Sequence, residues 1–304
     1  MTEIKIIGGI NIDIEGSPAG KLKYRDSNPG KIKLSYGGVG RNIAENLLRI
    51  GGSCGMLSAV GCDHMSLGAK AGLEALGGDV SHILEIEGRS PSMYLSILDE
   101  NRDMEIGISD MGIIEEIGHE TIVASKGWLL DSKAVALDGN LTEELLQFAT
   151  EELEGTRFFF DPVSASKGIR VKDFVGKFYA IKPNVIETEM ILDMSIETDE
   201  DIRRAAARFM ELGVKQVYIT LNKDGVYYRD EKEEGFLRPK DGLNVVSATG
   251  AGDSFSACIL YGIANELSIS EIAKMGMAAA EITMESANAV NPEMNMDEII
   301  RRMK

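Results

Sequence analysis

Ser247-Ala248-Thr249-Gly250-Ala251-Gly252-Asp253 is the most informative segment of this sequence. A β-branched apolar run at 243–246 precedes it, as a strand leading into a turn would, and an apolar helical pattern at 255–267 follows it. The two glycines remove side chains where the helix would begin, so backbone N–H groups can converge there on an anion. A carboxylate beside such donors suits phosphoryl transfer to a hydroxyl. A glycine-rich strand-to-helix turn, with an aspartate favoured by the helix dipole, is the purely structural alternative.

The composition is that of a globular protein. The chain has 304 residues, 44% of them hydrophobic and 27% charged, which is enough for one large α/β domain or two ordinary ones. No run approaches the roughly 20 apolar residues of a membrane helix. The first nine residues have the pattern of neither a signal peptide nor a transit peptide. We therefore expect a cytoplasmic protein without a membrane partner.

The net charge of −17 makes a nucleic-acid-binding protein an unlikely class, since such proteins are usually basic. It does not exclude a nucleotide ligand, because Mg²⁺ and local donors can offset the overall repulsion. The cysteines form no CxxC pair and are odd in number, and the histidines have no metal-ligand spacing. These residues are Cys54, Cys62, Cys258, His64, His82 and His119.

Short apolar runs alternate with helical patterns along most of the chain. The apolar runs are 4–8, 55–60, 128–131, 134–137, 157–161, 179–182 and 216–221, and the helical patterns are 42–50, 67–76, 141–153 and 202–212. This order predicts a mostly parallel central sheet covered by helices on both faces. Residues 31–36, 92–99 and 104–108 alternate polar and apolar side chains instead, which predicts a small antiparallel sheet.

The two commonest phosphate-binding motifs are missing from the sequence. There is no Walker A motif and no GxGxxG fingerprint. Gly37-Gly38-Val39-Gly40-Arg41-Asn42 comes close to the fingerprint but has the wrong spacing. A phosphate site in this chain must therefore be of another kind.

Three separated motifs together resemble the ribokinase-like (PfkB) carbohydrate kinase family over essentially the whole chain. They are Gly250 to Asp253, Gly37-Gly38 with Asn42, and Asn184 with Glu187; Asn11, Asp13, Gly61, Asp63 and Gly68 fit the same pattern. The resemblance implies one domain, 1–304, with a three-layer ribokinase-like core at about 1–12, 37–87 and 111–304. It also implies a small antiparallel β lid at about 13–36 and 88–110, with a homodimer formed through the lid.

The resemblance assigns roles to the residues that match the family motifs. Asp253 would be the catalytic base, and Gly250, Ala251 and Gly252 would form the anion hole. The sugar-binding residues would be Asn11, Asp13, Gly37, Gly38 and Asn42. Taken alone, Asn11 and Asp13 could form a strand-end turn, and the segment with Gly37, Gly38 and Asn42 could form a helix-capping turn.

The resemblance also implies ATP as phosphoryl donor and Mg²⁺ as cofactor. Glu187 would organise the metal through water, as suits an ion that keeps several waters. Taken alone, it could be an exposed helix residue. The ATP-binding residues would be Asn184, Thr220, Asn222, Gly225 and Asn288. Asn222 replaces the glycine usual in this loop but tolerates left-handed backbone. Ser247-Ala248 replaces an Asp-Thr pair, so a monovalent cation such as potassium is a doubtful cofactor.

A narrower set of segments is similar to the pseudouridine kinases of this family, which phosphorylate the 5′-hydroxyl of that C-nucleoside. The segments are 26–33, 37–44, 109–111, 161–164 with Lys167, and 182–184. By this resemblance further substrate contacts come from Ser27, Asn28, Lys31, Arg41, Ser92 and Lys167, although the basic residues among them could simply be solvated. Another family kinase acting on ribose, another nucleoside or a fructose-type hexose is the first alternative. A catalytically inactive ligand-binding homologue is the second, and a dinucleotide-dependent oxidoreductase is a distant third.

Overall fold

The computed structural model of the chain describes residues 3–239 and 242–304. The strands within these residues are β1 Ile4–Ile7, β2 Asn11–Pro18, β3 Gly30–Gly37, β4 Cys54–Gly61, β5 Asp79–Ile86, β6 Ser92–Leu98, β7 Met104–Asp110, β8 Ala134–Asp138, β9 Phe158–Asp161, β10 Ala180–Ile181, β11 Gln216–Thr220, β12 Val226–Arg229 and β13 Glu234–Leu237. The α-helices are α1 Val39–Arg49, α2 His64–Ala75, α3 His119–Leu130, α4 Glu143–Glu152, α5 Ala165–Gly168, α6 Val185–Leu192, α7 Asp199–Leu212, α8 Ala251–Ala264, α9 Ile269–Met284 and α10 Met296–Met303.

The large sheet forms the middle layer of the molecule. Its strand order among the described residues is β13-β12-β11-β10-β9-β8-β1-β4-β5. The run from β11 to β5 is parallel, whereas β12 and β13 add an antiparallel hairpin at one edge. The parallel strands are buried and strongly apolar, because helices cover them from both sides.

Side-chain alternation along each strand divides the interior into two cores. In β9, Phe158 and Phe160 face one core while Phe159 faces the other. Helices α3, α4, α6 and α7 pack on the first face, and α1, α2, α8 and α9 pack on the second. This is the three-layer ribokinase-like arrangement that the sequence predicts.

A smaller sheet projects from the edge of the core, with strand order β3-β2-β6-β7. The outer pairs of strands are antiparallel, and the central pair, β2 and β6, runs parallel. Leu34, Ile14, Leu95 and Ile108 are aligned across the four strands, so they share one face of this sheet. Much of that face is open to solvent, since Leu34 is 50% and Ile108 is 58% exposed.

The apolar run at 243–246 is not a strand, contrary to what its β-branched composition suggests. Val245 and Val246 are both more than half exposed. The backbone N–H groups of Val246 and Ser247 donate to the carbonyl of Met284 at 2.8 and 3.2 Å, so this segment is tied to the end of α9. The run at 128–131, in turn, lies at the end of α3.

Within the described part of the chain, none of the helices combines the length and the apolar character needed to span a membrane.

Candidate active site

The candidate site lies at the carboxyl ends of the parallel strands, which meet at one edge of the sheet. Asp138 ends β8, Asp161 ends β9 and Lys182 directly follows β10. The small sheet begins a few residues after β1, at Asn11, and therefore stands over this edge. The topology thus brings charged residues and the predicted sugar-binding residues together at this edge of the sheet.

The start of α1 is held against the end of β1 by a buried carboxylate. Asp138 accepts through Oδ2 from the N–H groups of Gly9 at 2.8 Å and Gly40 at 3.1 Å. Burial raises the pKa of Asp138, and the hydrogen bonds from Gly9 and Asn140 oppose that rise. Gly38 has φ 95°, and a Cβ atom there would lie 2.5 Å from the carbonyl oxygen of Gly9. The glycine pair is therefore required for this close approach.

The start of α8 has a backbone geometry suited to binding an anion. Gly250 is the N-cap residue, with left-handed backbone at φ 82°, and it supplies no side-chain cap. A Cβ atom at Gly250 would collide with the carbonyl oxygen of Ala289. The first N–H groups of the helix therefore lack a side-chain acceptor and can serve an anion. Asp253 lies in this first turn.

One hydrogen bond joins the two predicted motifs across the site. Asn42 donates through Nδ2 to Oδ2 of Asp253 at 2.8 Å, although the residues are 211 positions apart. Burial, followed by the charge of Asp161, raises the pKa of Asp253 to about 7, against the opposing effects of Asn42 and Lys182. Asp253 is thus a carboxylate whose pKa lies in the range suited to a general base near neutral pH.

Lys182 is a component of the site for which no role is predicted from the sequence. It is 6% exposed, and its Nζ lies 3.3 Å from Oδ2 of Asp161. A Cβ atom at Gly252 would lie 3.4 Å from this Nζ, so the ammonium group borders the anion site. Burial lowers the pKa of Lys182, but the charges of Asp161, Glu187 and Asp253 outweigh burial and raise it overall. The sequence feature that could have indicated this role is the position of the lysine directly after a buried apolar strand.

The predicted sugar-binding residues lie together. Asn11 is aligned with Gly37 on β3 and with Ser92 on β6, and Ser92 is buried. The Asp13 carboxylate fills the space that a Cβ atom at Gly37 would need. Burial raises the pKa of Asp13 to about 6, and the charge of Arg41 opposes that rise. The structure therefore gathers the polar groups of Asn11, Asp13 and Ser92 at the end of the small sheet, next to Gly37 and Gly38.

The structure does not bring Ser27, Asn28 and Lys31 to this place. Lys31 pairs with Ser17 at the far end of the β2–β3 hairpin, about 13 Å along the strand from Asp13. The Asn28 side chain closes a local loop. Its Oδ1 accepts from the N–H of Lys23 at 2.8 Å, and its Nδ2 donates to the carbonyl oxygen of the same residue at 3.0 Å. In this structure Asn28 therefore does not lie where the expected substrate contact would be made.

Arg41 also departs from its predicted role as a substrate contact. It is 7% exposed, and its terminal nitrogens donate to the carbonyl of Tyr36, to Asn42 and to Glu45. Lys167 is half-buried and donates to Oδ1 of Asn140 at 2.6 Å. Burial lowers the pKa of Lys167, partly offset by Asp138. Lys167 thus stays near the site, whereas Arg41 lies behind it.

Asn184 and Glu187 form a capping box at the start of α6. Asn184 Oδ1 accepts from the N–H of Glu187 at 2.9 Å, and Glu187 Oε2 accepts from the N–H of Asn184 at 2.8 Å. Burial raises the pKa of Glu187, with the Asn184 hydrogen bond opposing. Thr220, at the end of β11, is bridged to Asn184. This box fixes the Glu187 carboxylate at the same sheet edge as Lys182.

The predicted nucleotide loop follows β11. Asn222 has φ 53° and Gly225 has φ 98°, so the asparagine does adopt the left-handed backbone that glycine would supply. Asn288 is exposed, and its N–H donates to Ser286 Oγ at 3.1 Å. The segment that contains Asn288 borders the start of α8, since Ala289 lies against Gly250.

The oxygen donors at the site fit magnesium bound mainly through water. No three metal-ligating side chains converge within residues 3–239 and 242–304. Glu187 is the carboxylate that remains for a hydrated ion, because Asp161 already accepts from Ser256 and pairs with Lys182. Mg²⁺ usually binds through one or two carboxylates together with substrate phosphates, so this donor set is compatible with it.

Comparison with known proteins gives a consistent result over the full chain. The pfkB family carbohydrate kinase profile matches residues 1–295. The chain is 33% identical to a pseudouridine kinase of Escherichia coli K12 over 98% of this chain and 95% of that protein. It is 30% identical to a guanosine-inosine kinase of Exiguobacterium acetylicum over 97% of this chain and 98% of that protein. A crystal structure of a Clostridium perfringens protein superposes with a TM-score of 0.91 at 32% identity, covering 100% of this chain and 96% of that one.

Proposed function

The chain belongs to the pfkB family of carbohydrate kinases, and from that premise we propose that it transfers the γ-phosphoryl group of ATP to the 5′-hydroxyl of pseudouridine. The broader statement, that it is a sugar or nucleoside kinase acting on an alcohol group, follows from the family itself. The narrower one rests on the similarity to the pseudouridine kinase and on the geometry of the site.

The Asn42–Asp253 hydrogen bond is the observation that carries the proposal. It places the candidate base, the helix N-terminus and the sugar-binding segment within one hydrogen-bonded unit. Asp13 and Asn11 stand on the small sheet beside this unit and would accept from the vicinal hydroxyls of a ribose. An acceptor held there would present its primary hydroxyl to Asp253.

Each protein group has a defined task in the transfer. Asp253 accepts the proton of the 5′-hydroxyl as the hydroxyl oxygen bonds to the γ-phosphorus of ATP. The bond from that phosphorus to the β–γ bridging oxygen breaks, and ADP leaves. The N–H groups at the start of α8 and the Lys182 ammonium stabilise charge on the transferring group. Because a carboxylate is a weak base for an alcohol, alignment and charge stabilisation supply most of the rate. Mg²⁺, held by Glu187 through water, would neutralise phosphate charge when it is bound with ATP.

A panel of acceptors tests this proposal. The protein is incubated with Mg·ATP and pseudouridine, uridine, guanosine, inosine, ribose or fructose, and the products are followed by mass. Pseudouridine has an additional ring N–H that uridine lacks. A site built to bind that N–H can reject uridine by up to ~10⁴-fold in kcat/KM.

The outcomes of the panel are distinct. Preference for pseudouridine supports the proposal. Equal efficiency with uridine, or best activity on free ribose or a purine nucleoside, would exclude pseudouridine specificity while leaving the kinase assignment intact. Absence of any product with every acceptor would favour an inactive ligand-binding homologue.

We also propose that the small sheet acts as a lid and joins two copies of the chain. Its open face carries Ile32, Leu34, Ile106 and Ile108, all at least 49% exposed. A contiguous apolar face of this kind is typical of an interface. Ile106→Lys with Leu34→Lys should convert a dimer into a monomer in sedimentation velocity, and an unmutated protein that already sediments as a monomer would contradict the proposal.

A further inference from the structure

Arg41 is a buried arginine that lies behind the site rather than in it. Its NH2 group pairs with Oε2 of Glu45, four residues further along α1. The other oxygen of that carboxylate, Oε1, accepts from Nε of Arg49 at 2.9 Å. The guanidinium carbon of Arg41 lies 5.7 Å from the centre of the Tyr36 ring. Glu45 and the Tyr36 ring therefore hold one side of the Arg41 guanidinium group, and the NH1 group on its other side points toward the site.

The NH1 group of Arg41 fixes the orientation of the Asn42 side chain. It donates to the carbonyl of Tyr36 at 3.0 Å and to Oδ1 of Asn42 at 3.3 Å. With Oδ1 accepting from Arg41, the amide nitrogen of Asn42 faces Asp253, to which it donates at 2.8 Å. An amide flipped by 180° would direct an oxygen toward the Asp253 carboxylate and repel it.

Arg41 also influences the acid that would bind the sugar. Among the described residues it is the charged group that acts on Asp13, and it lowers the pKa of that carboxyl against the effect of burial. Ser35 and Tyr94, which are aligned with Asp13 on the neighbouring strands, carry no formal charge. Arg41 donates to the carbonyl of Tyr36, and the Asp13 carboxylate lies against Gly37, so the two charges flank the same short stretch of backbone.

We propose that Arg41 is a positioning residue that touches no substrate: it orients the Asn42 amide toward Asp253 and sets its positive charge against Asp13 across the Tyr36–Gly37 backbone. This inference rests on the proposed kinase function for its kinetic consequences. The orientation and the ionisation themselves are properties of the unliganded protein and can be measured without a substrate.

The test compares three variants. Arg41→Met removes both effects, and Arg41→Lys retains the charge but cannot reach Glu45, Tyr36 and Asn42 at once. Arg49→Met is the matched control, because it loses an ion pair with the same Glu45 carboxylate and has no contact with Asn42. Arg41→Lys also keeps the test available if Arg41→Met does not fold.

Two measurements separate the orienting role from the electrostatic one. In the unliganded protein, ¹³C NMR of the aspartate carboxyl carbons, assigned with Asp13→Asn, should show the Asp13 midpoint rising by about one pH unit or more in Arg41→Met. Arg41→Lys should return that midpoint toward the wild-type value. In kinetics with the best acceptor, Arg41→Met should lower kcat ~10-fold and raise the acceptor KM, whereas Arg41→Lys should restore KM more than kcat.

Several outcomes would overturn the inference. One is an unchanged Asp13 midpoint in Arg41→Met, and another is a wild-type kcat in the same variant. Equal losses in Arg49→Met would mean that the whole ion-pair cluster is merely structural. If the unmutated protein phosphorylates no acceptor, the proposed function fails, and the NMR titration still decides whether Arg41 controls Asp13.

Discussion

Replacing Asp253 with asparagine should lower turnover ~10²-fold or more and, at the same time, stabilise the folded protein at pH 8. The pKa of Asp253 is raised from 3.8 to about 7, by burial first and then by the charge of Asp161. Between those values the folded protein keeps a proton that the unfolded chain has already lost. The free energy of unfolding therefore falls as the pH rises through this window, and the wild-type protein is least favoured above pH 7.

The structure gives the size of this effect. A difference of roughly three units between the pKa values of Asp253 in the folded and unfolded protein corresponds to about 4 kcal/mol in the free energy of unfolding, at about 1.36 kcal/mol per unit. Asp253 is partly exposed, so solvent screening reduces this figure, and we expect a gain of about 1–3 kcal/mol for the variant at pH 8. Asparagine has the same size, and its oxygen can still accept from Asn42. The gain should vanish below about pH 3, where the carboxyl is protonated in both the folded and the unfolded protein.

The assay is urea unfolding of wild type and Asp253→Asn at pH 5, 6, 7 and 8. Asp173→Asn, at an exposed carboxylate, is the control for a general loss of negative charge. Turnover of the best acceptor should fall ~10²-fold or more in Asp253→Asn, with little change in nucleotide binding. Wild-type kcat should rise with pH up to about 7 and then level off, as expected for a base that must be ionised. A stability difference that is the same at pH 5 and pH 8 would refute this reasoning.

Three further predictions follow from the site. Lys182→Met should cost about 3 kcal/mol of stability in urea unfolding, because it leaves Asp161 buried without its cation. The same variant should lower kcat ~10²-fold. The double variant Lys182→Met with Asp161→Asn should regain stability but not activity. Gly250→Ala should cost more in thermal unfolding than Gly51→Ala, because both residues have positive φ near 82° but only at Gly250 would a Cβ atom meet a backbone oxygen; equal costs would dismiss that contact. Activity in potassium-free buffer should lie within a few-fold of that with potassium, about 1 kcal/mol or less, because Ser247 cannot supply the charge of a carboxylate to a cation site; a steep potassium requirement would contradict this.

The candidate site could be predicted from sequence where a residue acts through its own local geometry. Gly38 and Gly250 are such residues, since each sits at positive φ against a backbone carbonyl, where a Cβ atom does not fit. The capping box of Asn184 and Glu187 is equally local, because its partners are three residues apart. The prediction failed for the run at 243–246. Its β-branched residues favour a strand, but its N–H groups bond to the end of α9 and not to a sheet.

The sequence by itself determined the alternation of strands and helices, the mostly parallel sheet and the positions of the glycine turns, because these depend on periodicity and backbone freedom within short segments. Only the tertiary structure decided which side chains act together. Lys182 borders the start of α8, and Arg41 lies buried behind the site. Neither position could be read from the sequence, because burial and charge pairing depend on elements that are distant in the chain. The hydrogen bond between Asn42 and Asp253 exists because α1 and α8 pack on the same face of the sheet, which no local pattern encodes.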